Sequence, residues 1–125
     1  MDIRELVKEY NRAFGEGRLD RVEELLHPDL VFDGTVGKEI RGADAYMEGL
    51  RRLAPVVVRN DLKDIVVDGN KAFVLYDFVT DTDAGAVLSG ELLTIDDGRI
   101  RSITLLFDWR RWPEVLQEVE RRRSQ

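Results

Sequence analysis

Residues 92–108, "LLTIDDGRIRSITLLFD", decide the fold. Two runs dense in Leu, Ile, Thr and Phe flank the turn residues Asp96, Asp97, Gly98 and Arg99. A β-rich run, an Asp/Gly turn and a second β-rich run make an antiparallel hairpin. Extended back to about residue 86, the first strand alternates Val87, Glu91, Leu93 and Ile95 on one face with Leu88, Leu92 and Thr94 on the other. Both faces are largely apolar, so a further sheet or a second subunit is expected to cover the back. Glu91 is the residue that breaks the apolar pattern.

Outward from the hairpin, segments 56–67 and 71–81 have the same composition and are separated by "DGN" and "TDTDAG". The four segments 56–67, 71–81, 86–95 and 99–109 therefore read as an antiparallel meander. Ahead of Pro55 the period changes. Tyr46, Met47, Leu50 and Leu53 recur at helical spacing in a helix from about 43 to 53 that Pro55 stops. Ile3, Leu6, Val7, Tyr10, Ala13 and Phe14 define an amphipathic helix over 2–15, ended near Gly15 and Gly17. Asp20 is placed to cap a second short helix through Val22, Leu25 and Leu26, with His27 at its end before Pro28. Leu30, Val31 and Phe32 form a short strand, and Val115, Leu116 and Val119 a helix near the C-terminus. The fold class is α+β: one domain over 1–125, with helices covering one face of a long curved sheet and enclosing an apolar cavity.

Composition narrows the functions. A chain of 125 residues can bury about two-thirds of its unfolded surface in one core. With no cysteine and a single histidine, disulfides, thiol chemistry and an N/S metal site are excluded, and no metal or cofactor is expected. A net charge of −6 argues against a nucleic-acid partner. The charged, amphipathic N-terminus and the lack of any apolar run of about 18 residues point to a cytoplasmic protein with no membrane partner.

Three residues stand out chemically. Moving a proton from carbon beside a ketone needs a base near the C–H bond and donors at the oxygen that gains charge. Asp33, in "FDGTVGKEIRG" (32–42), closes a strand where a pocket could open, but Asp before Gly is also a natural turn residue. Tyr10 lies on a buried helix face, where plain packing is an equal reading. Glu91 lies on an apolar strand face, where desolvation would keep it neutral, or where Arg101 across the hairpin could pair with it. Asp77 alternates with Phe73, Leu75 and Val79, and Asp108 ends the last strand beside Phe107 and Trp109. Both acids, like Trp109 and Trp112, also fit structural roles.

The order helix, helix, strand, helix and four long strands, with "YNRAFGEGRLDRVEELLHPDLVF" (10–32) and the hairpin at 92–108, resembles the NTF2-like superfamily, which includes SnoaL-like proteins and ketosteroid isomerases. The resemblance implies a cone of helices on a curved, mainly antiparallel sheet. It is sharper for the isomerases. Tyr10 stands before Gly17, Leu19 and Asp20 as their oxyanion-binding tyrosine does. "DGTVGKEIRG" is similar to their base segment, with Asp33 on the base, although Gly34 and Thr35 replace the usual proline. Glu91, one methylene longer than the family's aspartate, falls on the protonated acid.

The resemblance implies cofactor-independent proton transfer on a small apolar carbonyl compound, with Asp33, Tyr10 and Glu91 catalytic; Phe14, Asp77, Phe107 and Trp109 are expected to contact substrate. A SnoaL-like polyketide cyclase relying on one late-strand acid, Glu91 or Asp108, is the second reading. The third is a non-catalytic binding or dimerisation module. The apolar back of the sheet implies a homodimer.

Overall fold

The computed structural model describes residues 1–35, 37 and 39–124. Val36 and Lys38, inside the segment likened to a base loop, and Gln125 lie outside the described residues.

Helix α1 (Ile3–Gly15) starts where the Asp2 side chain accepts a hydrogen bond from the Glu5 amide at 2.8 Å, satisfying one of the free donors of the first turn. Its apolar stripe, Leu6, Val7, Tyr10, Ala13 and Phe14, is buried as the spacing predicts. α1 crosses the last strand-edge of the sheet closely. A Cβ on Gly15 would lie 2.4 Å from the Asn60 amide nitrogen, so only glycine permits this approach. Asn60 Nδ2 donates to the Asn11 carbonyl at 2.9 Å and Arg4 donates to the Ile65 carbonyl at 3.1 Å.

Helix α2 (Leu19–Glu24) is shorter than the sequence implies. Arg18, not Asp20, is its cap residue, and Leu25 ends it. The residue before a proline is pushed to extended backbone, so His27 belongs to strand β1 (Leu26–Asp33) instead of finishing a helix. Its Nδ1 accepts from the Asp29 amide at 3.0 Å. β1 begins early because the Leu25 carbonyl and Leu26 engage Ile100 on the far side of the hairpin.

A two-residue strand β2 (Ile40–Arg41), not foreseen, leads into α3 (Ala43–Leu53), which follows Gly42 at φ +96°. A 3-10 turn at Ala54–Val56 precedes the meander β3 (Val57–Asp68), β4 (Lys71–Thr80), β5 (Ala86–Asp96) and β6 (Arg99–Phe107). β6 stops two residues short of expectation. Helix α4 (Trp112–Arg123) closes the chain.

The six strands form one sheet in the order β2-β1-β6-β5-β4-β3. Among the described residues, only β1 and β6 pair in parallel. Register shifts in β3 at 57/59 and 62/64, and in the β5–β6 pair at 94/95, add twist and bend the sheet around the helices. The concave face carries Ala72, Val74, Tyr76 and Phe78 from β4, Val87, Ser89, Glu91 and Leu93 from β5, and Ile103 from β6; these are buried against α1 and α3. The convex face exposes Val66, Leu88, Leu92 and Leu106. A smaller core of Val56, Val115 and Val119 seats α4, and Arg122 ties that helix to Asp81 and to the Pro55 carbonyl. No helix among the described residues is long and apolar enough to cross a membrane.

Candidate active site

Between the concave face and α3 lies a cavity of about 230 Å³. Its wall is apolar: Phe14, Phe32, Ile40, Leu50, Phe78 and Leu105, with Phe107 and Trp112 at one end. Phe107 and Trp112 meet edge to face, ring centres 5.0 Å apart, and Trp112 also packs on Phe78 at 6.2 Å. Four polar side chains interrupt this wall: Tyr46, Tyr76, Ser89 and Glu91.

Three of them, with Tyr10 behind, form one cluster. Glu91 is buried and carried inward by β5 between Val74 of β4 and Leu105 of β6. Tyr10 donates to Glu91 Oε1 at 3.0 Å, and Tyr76 donates to Oε2 in a short contact. The Tyr10 and Tyr46 hydroxyls meet at 2.5 Å. No cation stands among the described residues that line the cavity. Burial therefore raises the Glu91 carboxyl above its ordinary value, and the two phenol hydrogen bonds offset that only in part. Burial, reinforced by the Glu91 charge, likewise raises Tyr10, Tyr46 and Tyr76, so all three stay protonated. The site is a carboxyl group held by neutral phenols in apolar surroundings, able to accept a proton, keep it, and return it.

Tyr10 and Glu91, joined above on the sequence alone, do converge. Tyr10, however, is fully buried and does not line the cavity. Tyr46 and Tyr76 line it instead, and the sequence reading missed both. Tyr46 was legible as a buried residue of α3. Tyr76 was obscured because both faces of β4 are apolar, so alternation did not say which one points inward. Phe14 and Phe107 line the cavity.

The other assignments need correction. Asp33 alternates with Phe32, and because Phe32 faces the cavity Asp33 is exposed on the opposite side. Its Oδ1 accepts from the Thr35 amide at 2.9 Å, the hydrogen bond of a turn residue. Asp77 sits on the convex face beside Lys63, 3.2 Å away, while its neighbours Tyr76 and Phe78 point inward. Trp109 is 61% exposed, and Trp112, three residues on at the start of α4, lines the cavity instead. Asp108 is gripped by Arg110 at 2.6 and 2.8 Å, which lowers its carboxyl to about 2 and keeps it ionised. Arg101 donates to the Asp29 carbonyl and does not pair with Glu91. Among the described residues, no group of three or more His, Cys, Asp or Glu side chains is placed to hold a metal ion.

No curated protein matches this chain. Solved structures share its fold at low identity. An NTF2-like protein of unknown function from Cytophaga hutchinsonii is 22% identical over 89% of this chain and 94% of its own, with a TM-score of 0.76. A candidate polyketide cyclase from Sinorhizobium meliloti is 24% identical over 85% and 97%, TM-score 0.73. A candidate ketosteroid isomerase from Kribbella flavida is 18% identical over 84% and 76%, TM-score 0.75. The model of the SnoaL-like domain matches residues 7–103. That span runs from α1 into β6, the second strand of the hairpin that set the fold, and it shows that the chain belongs to the SnoaL-like family, with a fold shared by NTF2-like proteins.

Proposed function

We propose that residues 1–125 form one domain that binds a small, mainly apolar carbonyl compound in the cavity and moves a proton on it with Glu91 as the acid–base group. The observation that carries this reading is that, among the described residues, Glu91 is the one carboxyl group lining a mainly apolar cavity, held by two phenols. An isomerase of the two-carboxylate kind needs a separate base beside its neutral acid. With Asp33 on the outer side, a single-acid, cyclase-like aldol closure has the better support.

In that reaction ionised Glu91 takes a proton from carbon beside a carbonyl, the enolate carbon attacks a second carbonyl of the same molecule, and Glu91 returns the proton to the new alkoxide. The apolar wall strengthens each electrostatic contact by excluding water. The test is to follow aldol closure of a small diketone and isomerisation of a β,γ-unsaturated ketone side by side. Glu91→Gln is expected to lower the aldol rate by about 10²–10⁴-fold, the usual contribution of a positioned acid–base group. Asp33→Asn is expected to leave it within about twofold. Loss of activity in Asp33→Asn with Glu91→Gln intact would refute the assignment.

We also propose that the convex face is covered by a second copy of the chain. Val66, Leu88, Leu92 and Leu106 are all 43–58% exposed on one sheet surface, and two such sheets stack face to face in a symmetric pair. Sedimentation at tens of micromolar is expected to give a dimer, with Leu92→Lys shifting it to monomer. A monomeric wild-type protein would remove the proposal.

A further inference from the structure

Four residues of α3 line the cavity: Tyr46, Gly49, Leu50 and Leu53. Their spacing of i, i+3, i+4 and i+7 puts them on one side of the helix, where an amphipathic pattern calls for an apolar side chain at each position. Three positions have one, and the fourth is glycine. Tyr46 and Leu50 are buried and Leu53 is half-buried, whereas Gly49 is exposed. A residue that both lines the cavity and is exposed stands where the cavity meets solvent.

Nothing in the packing of the described residues asks for glycine there. Gly49 lies well inside α3, and glycine disfavours a helix interior because it has the most backbone freedom to lose. Its φ is not positive, and a Cβ built on it would meet no described atom within 4 Å. Gly34, which also lines the cavity, differs: a Cβ there would stand 3.1 Å from Cε1 of Phe32. Gly15 is likewise fixed by the approach of β3. At position 49 the missing side chain leaves open space, and a larger one would lean back over the turn that carries Tyr46.

The chemistry of the lining changes from the buried part to the open part. Tyr46, Tyr76, Ser89 and Glu91 are all buried. Among the described residues, the half-buried part of the lining is hydrocarbon and aromatic, with the Trp112 N–H as its one polar side-chain atom. Whatever crosses the opening is therefore apolar.

We infer that Gly49 is the threshold of the cavity, and that the compound bound there carries an apolar tail which leaves across α3 at this position. This rests on the cavity being the ligand site, and it deepens that reading by giving the ligand a length greater than the enclosed space and a path for the surplus.

The experiment is calorimetric titration of acetophenone, para-butylacetophenone and para-octylacetophenone into the wild type, Gly49→Leu, Gly49→Phe and Glu48→Leu. In the wild type, affinity is expected to rise from acetophenone to the butyl compound and to be no lower for the octyl compound. In Gly49→Leu and Gly49→Phe, acetophenone is expected to bind within about twofold of wild type, while the octyl compound weakens by about tenfold or more, the worth of two methylenes no longer buried. Glu48→Leu, an exposed neighbour outside the lining, is expected to change none of the three. Thermal unfolding is expected to place Gly49→Ala and Gly49→Leu at or above the wild-type midpoint, since both residues favour helix over glycine. An equal loss for all three compounds, no loss for the octyl compound in either bulky variant, or a fall in midpoint for Gly49→Ala would overturn the inference and leave the cavity reading standing. Failure of all three compounds to bind the wild type would overturn both.

Discussion

Urea unfolding at a series of pH values is expected to show the wild-type protein losing about 1.4 kcal/mol of stability per pH unit relative to Glu91→Gln, across the window where Glu91 is neutral when unfolded state carboxyls are already charged. Desolvation raises the Glu91 carboxyl in the folded protein. A group whose folded value lies above its unfolded value favours folding fully below the unfolded value, and that contribution is lost as pH rises through the folded one. The window therefore opens in the ordinary carboxylate range and closes where the buried group ionises. Glutamine is close to isosteric with the protonated acid and does not titrate, so its stability lacks this slope. Parallel curves for the two proteins would mean that Glu91 ionises as easily in the fold as in the unfolded chain, and that its apolar surroundings do not raise its carboxyl.

The second large effect separates the two faces of the sheet. Ile103, 1% exposed, meets Leu93 across the hairpin and Phe32 across the parallel pair. Ile103→Ala is expected to cost about 2–5 kcal/mol, because the lost burial is joined by a cavity that rigid neighbours cannot fill. Leu106, three residues along the same strand, is 57% exposed on the other face. Leu106→Ala in dilute protein is expected to change stability by no more than about 0.5 kcal/mol. Chemical denaturation of both variants at low concentration checks the pair. A similar cost for each would mean that the face called convex is as well packed as the concave one.

The hairpin, the meander and the three longer helices were legible because each has one dominant period and ends at a turn residue or a proline. The errors fell where two signals competed. "LLHPDL" carries helical spacing up to Leu26, yet the constraint that Pro28 places on His27 and the pairing with Ile100 turned it into strand. β2 is only two residues long and leaves no periodic trace. In the site, Glu91 was legible as a lone carboxyl on an apolar face. Asp77 and Tyr76 were not separable, since β4 is apolar on both sides and only the direction of sheet curvature decides which enters the cavity. Trp109 and Trp112 differ by where β6 ends: it ends at Phe107, the Asp108 amide still bonds the Leu88 carbonyl at 2.9 Å, and the chain then turns into α4.

The alternation of Phe32 and Asp33 at the end of β1 bears on how such proteins diverge. Neighbouring positions on a strand address opposite sides of the sheet, so a carboxylate moved one place back along this chain, from 33 to 32, would exchange turn duty for a seat in the cavity, while β1, its partner β6 and the helices above stay as they are. A second acid in the cavity is therefore one position away in sequence, although it would replace the Phe32 ring that packs on Tyr46. Sequence likeness around this strand end is accordingly a poor guide to shared chemistry, and the side to which its acid points is the character by which relatives should be sorted.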